Sequence, residues 1–357
     1  MKNKKLSGEE ALLEAQKIAF APVIFQTARL LRDFGIFKML YDNKKTGCTI
    51  EEIAKEKELS TYAVEVLCES GLSMNALELK DDKFFLTDVG YFLLFDDITN
   101  INMNFNHDVN YIGLFDLDKA LLESKPSGLH RAFNSSWETI YPHLSELPEK
   151  AKKSWFKFDH FYSDACFKTL VKIMAERAPK KLMDIGGNTG KWAIALTQAS
   201  PKTHVTIVDH SKQIDIALTN AENAGVSDRV DGIAMDILDH SQPFKEGYDA
   251  IWMSQFLDCF GPEDIVKILK RVNKAIDENA KVYVIEPFWD RQSHNIGSFC
   301  LINTSPYFTA LANGKSKMYK STQMKSFVEN AGLKVVEQID NLGFGHTLMV
   351  CKKSFNF

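Results

Sequence analysis

Residues 180–190 read KKLMDIGGNTG, a short apolar segment that ends in Asp184 and continues into a glycine-rich turn. The pattern predicts a β-strand, a tight turn and then a helix, Lys191–Ala199, which ends before Ser200 and Pro201. Glycines at the tip of a strand let a ligand approach the backbone closely. A carboxylate directly before such a turn disfavours a bound phosphate, so the pattern favours a ligand that carries an amine or another cationic group.

Strand-like and helix-like segments alternate through the following part of the chain. This alternation predicts a Rossmann-like, doubly wound α/β domain that binds its ligands at the carboxyl ends of parallel strands. Asp209 follows the second predicted strand, where a carboxylate binds a ribose diol, and Asp236 follows the third. Acids at such places also serve as helix caps and turn residues. The further predicted strands are Thr203–Val208, Val230–Met235, Tyr248–Ser254 and Lys281–Glu286, and the helices between them include Lys212–Ala224 and Asp264–Ala275.

The composition argues against several classes of protein. The 357 residues suffice for two domains with their own cores, and the net charge of −4 gives no support for nucleic acid as a partner. The six cysteines include no CxxC pair, which argues against a zinc site and for reduced thiols in the cytoplasm. No apolar run reaches the ~18 residues of a membrane helix. The basic start, Met1–Lys5, is not followed by the apolar core of a signal peptide.

The first part of the chain, residues 1–105, is predicted to be an all-helical, winged-helix-like domain that mediates dimerisation. Helix Thr61–Leu72 and a hairpin with its turn at Asp81 and Asp82 give the winged-helix order. A DNA reader needs a basic recognition helix, but this one contains two glutamates and neither lysine nor arginine. The apolar segment Ala19–Leu31 favours a dimer interface, and packing within its own chain is the alternative. The other predicted elements are helices Glu10–Phe20 and Pro22–Leu31 and strands Leu77–Lys80 and Lys83–Leu86.

Residues 106–175 are predicted to form a helical linker that contributes to the active site, and residues 176–357 form the Rossmann-like domain. The segment Trp155–Asp164 is dense in aromatic and polar residues just ahead of the glycine turn, so it forms either core packing or the wall of a ligand pocket. The predicted helices of the linker are Tyr111–Leu122, Trp137–Leu144, Pro148–Lys153 and Trp155–Ala175.

The D-x-G-x-x-x-G pattern resembles the first motif of S-adenosylmethionine-dependent methyltransferases. The usual motif is D/E-x-G-x-G-x-G, and Asn188 replaces its middle glycine here. Over nearly its whole length the chain resembles the O-methyltransferases typified by plant caffeate and bacterial polyketide enzymes. The resemblance implies S-adenosylmethionine as donor, S-adenosylhomocysteine as product, no metal, a homodimer and a small, aromatic acceptor.

The resemblance also implies roles for individual residues of the donor site. The methionine part of the donor would be lined by Asp184 and the glycines of the turn, and Asp209 would hold the ribose. Asp236 and Ile237 would frame the adenine, and Ser254 stands where the family often has a lysine after the fourth strand. Tyr162 and Ser163 would wall the sulfonium end. The glycines concerned are Gly186, Gly187 and Gly190.

The catalytic motif of the family, L-H-D-W-x-D-E, is altered in this chain. The matching segment, residues 257–263, reads LDCFGPE, so Asp258 stands at the position of the family's histidine base. The first supporting glutamate is retained as Glu286, whereas the second would fall near Met318 and is absent. Asp258 is then a base whose pKa its surroundings raise, or the acceptor arrives ionised, or the acceptor is an activated carbon. The remaining alternative is a helix N-terminal residue without a catalytic role.

Other residues and other functions stay open at this point. His346, His160 and His107 are alternative bases, and Tyr307 is one of four apolar or aromatic residues in the stretch where the family builds its acceptor pocket. One rival function is a donor-binding relative that performs hydroxylation or decarboxylation. Another is a winged-helix regulator without enzymatic activity. The other three pocket candidates are Phe299, Phe308 and Met318.

Overall fold

The computed structural model describes residues 5–354. The chain divides into two compact units, the first ending at Asp108 and the second beginning at Val109. The predicted boundary after residue 105 falls three residues earlier, and the predicted linker belongs almost entirely to the second unit. Apart from Lys5, the segment Met1–Lys5, on which the expectation of no signal peptide rests, lies outside the described residues.

The first unit is helical, with one small hairpin. Two of its helices begin with a capping box, in which Ser7 pairs with Glu10 and Thr49 pairs with Glu52 through reciprocal hydrogen bonds. The elements are α1 (Gly8–Ala19), α2 (Ala21–Asp33), α3 (Ile36–Asp42), α4 (Ile50–Lys57), α5 (Thr61–Ser73), β1 (Leu77–Lys80), β2 (Lys83–Leu86), α6 (Asp88–Phe95) and α7 (Asp97–Phe105).

The hairpin turns at the two predicted aspartates. Asp81 and Asp82 adopt φ angles of 49° and 57°, the left-handed conformation of a tight hairpin turn. Helix α5 packs Val64, Leu67 and Cys68 into the core of this unit and leaves its glutamates exposed. An exposed acidic face on this helix repels phosphate.

Helices α1 and α2 carry the exposed apolar surface of the first unit. Leu12, Leu13, Ile18, Phe20 and Val23 are each more than half exposed, whereas only the later turns of α2 contribute buried side chains. The alternative that the whole apolar segment packs within its own chain is therefore wrong for its first part.

The second unit contains a central sheet flanked by helices, and this confirms the predicted α/β class. Its elements are α8 (Leu117–Glu123), α9 (Gly128–Phe133), α10 (Glu149–Arg177), β3 (Lys181–Ile185), α11 (Lys191–Ala199), β4 (His204–Asp209), α12 (Ser211–Asn223), β5 (Val230–Ala234), β6 (Ala250–Ser254), α13 (Pro262–Ala275), β7 (Lys281–Glu286), α14 (Asn295–Tyr307), α15 (Ser321–Asn330), β8 (Leu333–Leu342) and β9 (His346–Lys353).

The seven strands are ordered β5-β4-β3-β6-β7-β9-β8. The first five are parallel, and β9 is antiparallel to both β7 and β8. Alternate side chains of β3 enter the two cores, so that Leu182 packs with Trp192 and Trp252 while Met183 and Ile185 lie on the other face. The carboxyl ends of β3, β4, β6 and β7 therefore meet at one edge, which is where ligands bind in such sheets.

The predicted linker differs from the structure in several places. The predicted helix Tyr111–Leu122 is a 3₁₀ helix, Gly113–Asp116, followed by α8, and α9 was not predicted. Helix α10 runs without a break where two helices, Pro148–Lys153 and Trp155–Ala175, were predicted, because no glycine or proline interrupts residues 149–177. The predicted helix Trp137–Leu144 is a short 3₁₀ helix over Tyr141–Glu146. Among the described residues, no helix is both long enough and apolar enough to cross a membrane.

Candidate active site

The glycine turn after β3 is built from residues in the left-handed conformation. Gly186 and Gly190 have φ angles of 78° and 76°, and Asn188 has a φ of 49°. Asparagine tolerates this region better than other non-glycine residues, which explains how it replaces the family's middle glycine. At Gly187 a Cβ atom would lie 2.7 Å from Oδ2 of Asp184, so a side chain there would displace the carboxyl.

Asp184 lies under this turn and is 3% exposed. Its Oδ2 atom is buried without a hydrogen-bond partner. Burial, together with the negative charge of Asp209, raises the pKa of Asp184 to about 8. A buried carboxyl oxygen without a partner is costly, and a ligand ammonium group would relieve that cost.

Asp209 ends β4 beside the turn. Its Oδ2 atom accepts a hydrogen bond from the amide of Asn188 (2.9 Å) and its Oδ1 atom accepts one from the amide of His210 (2.7 Å). Burial raises the pKa of this carboxyl, and the two amides act in the opposite direction. Each carboxylate oxygen has a second lone pair, so Asp209 retains the capacity to accept two hydroxyl groups.

The loop after β5 carries Asp236 and Ile237. The strand ends at Ala234 rather than at the predicted Met235, so Asp236 lies exposed in a turn, where its Oδ1 atom accepts from the amide of Leu238 (2.9 Å). Ile237 is buried, and its carbonyl accepts a hydrogen bond from Nη1 of Arg271 (2.7 Å).

Helix α13 anchors this loop at two points that sequence reasoning missed. Arg271 is 7% exposed, and its guanidinium lies 4.4 Å from the centre of the Phe244 ring. Seven residues earlier on the same helix, the Oδ1 atom of Asp264 lies 3.2 Å from Nε2 of His240. An arginine inside an amphipathic helix is an unusual core residue, and that was the available sequence signal.

Glu286 at the end of β7 organises the segment after β6. Its Oε1 atom accepts hydrogen bonds from the amides of Phe256 (3.1 Å) and Leu257 (2.8 Å), whereas its Oε2 atom is buried without a partner. Ser254, which ends β6, also has a buried hydroxyl without a partner. Burial, and then the charge of Asp258, raises the pKa of Glu286 well above its usual range.

Asp258 lies in a short 3₁₀ helix, Leu257–Cys259, and is 6% exposed. Burial is the main reason that the pKa of Asp258 is raised to about 7. A hydrogen bond from the Cys259 thiol lowers this pKa, and the charge of Asp159 raises it. Two bonds hold this 3₁₀ helix: Nδ2 of Asn313 donates to the Cys259 carbonyl (2.5 Å), and the Tyr319 hydroxyl donates to the Phe260 carbonyl (2.8 Å). Asp258 is thus a buried carboxyl in a segment held by these two hydrogen bonds.

Asp159 on α10 is a member of this site that sequence reasoning did not single out. Burial raises its pKa to about 6, the neighbouring His160 lowers it, and Asp164 raises it. Tyr307 on α14 is buried, and burial raises the pKa of its hydroxyl. The charges of Asp159 and Asp258 raise that pKa further. The sequence signal was an acid within a predominantly aromatic helical segment.

Tyr162 and Ser163 lie on α10 close to Asp159. The ring of Tyr162 packs 5.1 Å from that of Phe158, and the buried Ser163 hydroxyl donates to the His160 carbonyl (3.3 Å). An ion pair between Asp164 and Lys191 connects this part of α10 to the helix that follows the glycine turn. The segment therefore lies beside the turn, although the Ser163 hydroxyl is already used within its own helix.

The three histidines have different surroundings. His346 is fully buried at the start of β9, and burial lowers its pKa to about 4, so the ring is neutral. The ring of His160 lies 5.8 Å from that of Phe156 on α10. His107 belongs to the first unit, with its Nδ1 atom 3.4 Å from Nε2 of Gln26.

The pocket candidates after β7 divide into buried and exposed residues. Tyr307, Phe308 and Met318 are buried, whereas Phe299 is 58% exposed. The Tyr307 hydroxyl accepts a hydrogen bond from Nε1 of Trp155 (2.7 Å), which joins α14 to α10. Within residues 5–354, no group of three or more histidine, cysteine or acidic side chains has the arrangement of a metal site.

These features fit S-adenosylmethionine. The unpartnered oxygen of Asp184 matches an ammonium group, and Asp209 offers two free lone pairs to a ribose diol. The turn has no room for side chains at Gly186 and Gly187. A Cβ atom at Gly186 would lie 2.2 Å from the Phe256 ring, and one at Gly187 would lie 2.7 Å from the Asp184 carboxyl. The fold and this site define an α/β methyltransferase.

The family follows from the comparison with known proteins. The model of the O-methyltransferase domain matches residues 117–334, more than half of the chain, and the model of the Dimerisation2-like domain matches residues 13–84. The chain therefore belongs to the O-methyltransferase family. It is an S-adenosylmethionine-dependent methyltransferase with an N-terminal helical dimerisation domain, as the sequence predicted.

Relatives of this family align over most of the chain. It is 24% identical over 342 residues to L-tyrosine C(3)-methyltransferase of Streptomyces lavendulae, which covers 94% of this chain and 91% of that one. It is 24% identical over 270 residues to bacteriochlorophyllide d C-20 methyltransferase of Chlorobaculum tepidum, with 67% and 74% covered. The apo structure of the S-adenosylmethionine-dependent methyltransferase SibL superimposes with a TM-score of 0.70 at 20% identity, over 95% and 98% of the two chains.

Proposed function

We propose that this protein methylates a small phenolic acceptor and that Asp258 is the general base. The observation that carries the proposal is the buried Asp258 carboxyl beside Glu286, at the position of the family's base and at the same sheet edge as the donor site. When bound, S-adenosylmethionine supplies an electrophilic methyl group on a sulfonium.

The raised pKa of Asp258 makes this base adequate for a phenol. Proton transfer from a phenol of pKa ~10 to an ordinary aspartate of pKa ~3.9 is uphill by roughly 8 kcal/mol, at 1.36 kcal/mol per pKa unit. With a pKa of about 7, the remaining gap for Asp258 is roughly 4 kcal/mol. A base whose pKa lies near the operating pH is the most effective one.

Removal of the phenolic proton activates the acceptor at two atoms. A phenolate is nucleophilic at its oxygen and at the ring carbons ortho to the carbon that bears the oxygen. The same base therefore serves O-methylation and C-methylation. O-methylation agrees with the family. C-methylation is the second candidate, because two aligned relatives are named as C-methyltransferases and one of them acts on the phenol L-tyrosine. The identity of the product distinguishes the two.

The proposed donor site consists of residues at the ends of β3, β4, β5 and β6 together with two residues of α10. Asp184 binds the ammonium group, Asp209 binds the ribose, and Asp236 and Ile237 frame the adenine. Ser254 borders the donor, and Tyr162 and Ser163 wall its sulfonium end. The glycines that let the donor approach the backbone are Gly186, Gly187 and Gly190. Support comes from the unpartnered Asp184 and Ser254 oxygens.

The assembly and the location of the protein belong to the same proposal. Apart from Leu12, the exposed apolar side chains of α1 and α2 lie within the part matched by the Dimerisation2-like model, which supports a homodimer. Substitution of Ile18 by glutamate should then convert a dimer into a monomer in light scattering. A cytoplasmic location, a reaction without a metal and the absence of a nucleic-acid partner stay predictions.

Calorimetric titration with S-adenosylmethionine and S-adenosylhomocysteine is the first experiment, with Asp209→Ala as the variant. Micromolar binding that is lost in the variant, followed by transfer of a labelled methyl group to phenols, supports the proposal. Failure of the wild-type protein to bind either compound would contradict it. Donor binding with hydroxylation or decarboxylation of the acceptor would instead support the rival chemistry.

A further inference from the structure

One buried arginine of α13 contacts the loop after β5 at three points. This adenine loop comprises residues 235–244 and contains the two residues that are proposed to frame the adenine. Nη1 of Arg271 donates to the Ile237 carbonyl (2.7 Å), and Nη2 donates to Sδ of Met235 (3.3 Å). The guanidinium carbon also lies 4.4 Å from the centre of the Phe244 ring. The start, the middle and the end of the loop are therefore attached to a single side chain.

The contact with Ile237 also orients Asp236. The peptide unit between Ile237 and Leu238 has its carbonyl bonded to Arg271. The amide of the same unit donates to Oδ1 of Asp236 (2.9 Å). A peptide unit is planar and rigid, so these two bonds connect the arginine to the carboxyl through one fixed group. The orientation of both residues that are proposed to frame the adenine thus depends on one guanidinium.

Stability alone does not account for an arginine at this position. Arg271 lies on the buried face of an amphipathic helix, between Ile268 and Ala275, and is 7% exposed. Its Nε atom is buried without a hydrogen-bond partner. Burial of a charge is costly, and a well-packed apolar side chain of similar volume often stabilises a core at least as well. A role in holding the adenine loop explains why a cation is found in this core.

We propose that Arg271 is a positioning residue for the donor, and that it holds the adenine loop in the conformation in which Asp236 accepts a hydrogen bond from the amino group of the adenine. This inference rests on the proposed function, in which the donor's adenine binds at this loop. Within residues 5–354, no side chain or amide donates to Oδ2 of Asp236, so this oxygen can accept from a ligand. Adenine presents an amino group where hypoxanthine presents a carbonyl oxygen, which a carboxylate repels. Arg271 then determines which base is accepted by acting through the loop.

S-adenosylhomocysteine and S-inosylhomocysteine test this role, because they differ only in the base. Both compounds are titrated by calorimetry into the wild-type protein and into Arg271→Met, in which an apolar side chain replaces the cation. The wild-type protein should bind the adenosyl compound at least about tenfold more tightly than the inosyl compound. Arg271→Met should bind S-adenosylhomocysteine at least about tenfold more weakly than the wild type and should lose the preference between the two bases.

Arg271→Lys is the second variant, for the case in which Arg271→Met does not fold. A lysine keeps the apolar stem and the charge, but its ammonium group lacks the planar fork that forms two hydrogen bonds while it lies on the Phe244 ring. This variant should bind S-adenosylhomocysteine more weakly than the wild type and retain only part of the preference. Lys270→Met removes the exposed cation next to Arg271 on the same helix. It is the matched control and should leave both affinities unchanged.

Two further measurements separate positioning of the adenine from general damage to the donor site. The Asp184 carboxyl is proposed to bind the ammonium group, which both compounds carry, so Asp184→Asn should weaken both equally and keep the preference for adenine. Hydrogen–deuterium exchange of the ligand-free protein reports on the loop itself. The amides of residues 236–244 should exchange faster in Arg271→Met than in the wild type, whereas those of β3 and β4 should stay protected.

The possible results distinguish this inference from the proposed function. A preference for adenine that survives in Arg271→Met would overturn the inference even if the Tm falls, because the arginine would then serve stability alone. Unchanged exchange of residues 236–244 would overturn it as well, and so would equal binding of the two compounds to the wild-type protein. Failure of the wild-type protein to bind either compound would instead contradict the proposed donor site, and the inference would be wrong with it.

Discussion

Asp184→Asn should stabilise the ligand-free protein above neutral pH and weaken the binding of S-adenosylhomocysteine. The reason is that the Asp184 carboxyl is buried with one unpartnered oxygen, and that burial and the charge of Asp209 raise its pKa to about 8. An asparagine of nearly the same shape carries no charge to be desolvated, but it also has no charge to offer an ammonium group.

The pH dependence gives the magnitude. The pKa of Asp184 is about 8 in the folded protein and ~3.9 in the unfolded chain, so its contribution to stability is complete below pH ~4 and is lost as the pH rises towards 8. The loss is at most about 1.4 kcal/mol per pH unit, or about 2 kcal/mol between pH 6 and pH 8. For a unit of this size that corresponds to about 4–8 °C in Tm.

The assay compares the wild-type protein and the variant at pH 6 and pH 8 without ligand. The wild-type Tm should fall more steeply over this range than that of Asp184→Asn, and the difference isolates this carboxyl from the others at the site. Asp249→Asn is the matched control, because this carboxyl accepts the amides of Lys180 (2.6 Å) and Lys181 (3.1 Å) at the opposite end of β3. It should leave the affinity for S-adenosylhomocysteine unchanged.

Ligand binding provides a second readout of the same group. An ammonium group beside Asp184 lowers its pKa, so at pH 7 the wild-type protein should release close to one proton as it binds S-adenosylhomocysteine. Calorimetry in two buffers with different ionisation enthalpies measures that proton, and Asp184→Asn should release none and bind at least about tenfold more weakly. Equal pH dependence of the two Tm values, together with unchanged affinity, would refute the reasoning.

Three further expectations follow from the site. Asp209→Ala should weaken S-adenosylhomocysteine binding by about tenfold or more in calorimetry, because the residue offers two lone pairs to the ribose and also holds the Asn188 amide. Asn188→Gly should leave thermal stability nearly unchanged, whereas Asn188→Val should cost about 1–2 kcal/mol, because the φ of 49° suits glycine and not a β-branched residue. Wild-type kcat/KM should fall below pH ~7 as Asp258 becomes protonated, and Asp258→Asn should lose about 10²-fold or more in rate together with this limb of the profile.

The features that the sequence predicted well are local ones. An apolar run that ends in an acid or a glycine indicates both a strand and the residue at which it ends. The run Lys281–Glu286 before Pro287 is an example, and the predicted bounds of β7 are the observed ones. Helix Lys191–Ala199 was predicted with its observed bounds because Gly190 begins it and Ser200 with Pro201 ends it. Within residues 149–177 no glycine or proline is present, and the two helices predicted there are the single helix α10.

The features that the sequence did not reveal depend on contacts between distant segments. The charge of Asp159 raises the pKa of Asp258 although about a hundred residues separate them, and nothing in the sequence of the aromatic helix indicates this interaction. The anchoring of Ile237 by Arg271 is of the same kind. Periodicity predicts the elements, whereas the fold alone determines which charges face one another.

The replacement of the family's histidine by Asp258 changes the charge balance of the whole site. A histidine beside Glu286 becomes an ion pair when it takes up a proton, so the glutamate stabilises the protonated base. An aspartate beside the same glutamate repels it, and both carboxyls tend to retain a proton, as their raised pKa values show. The charge of Asp159 acts in the same direction and raises the pKa of Asp258 further. Such a site gains a usable base at neutral pH, because the raised pKa of Asp258, about 7, lies close to that pH.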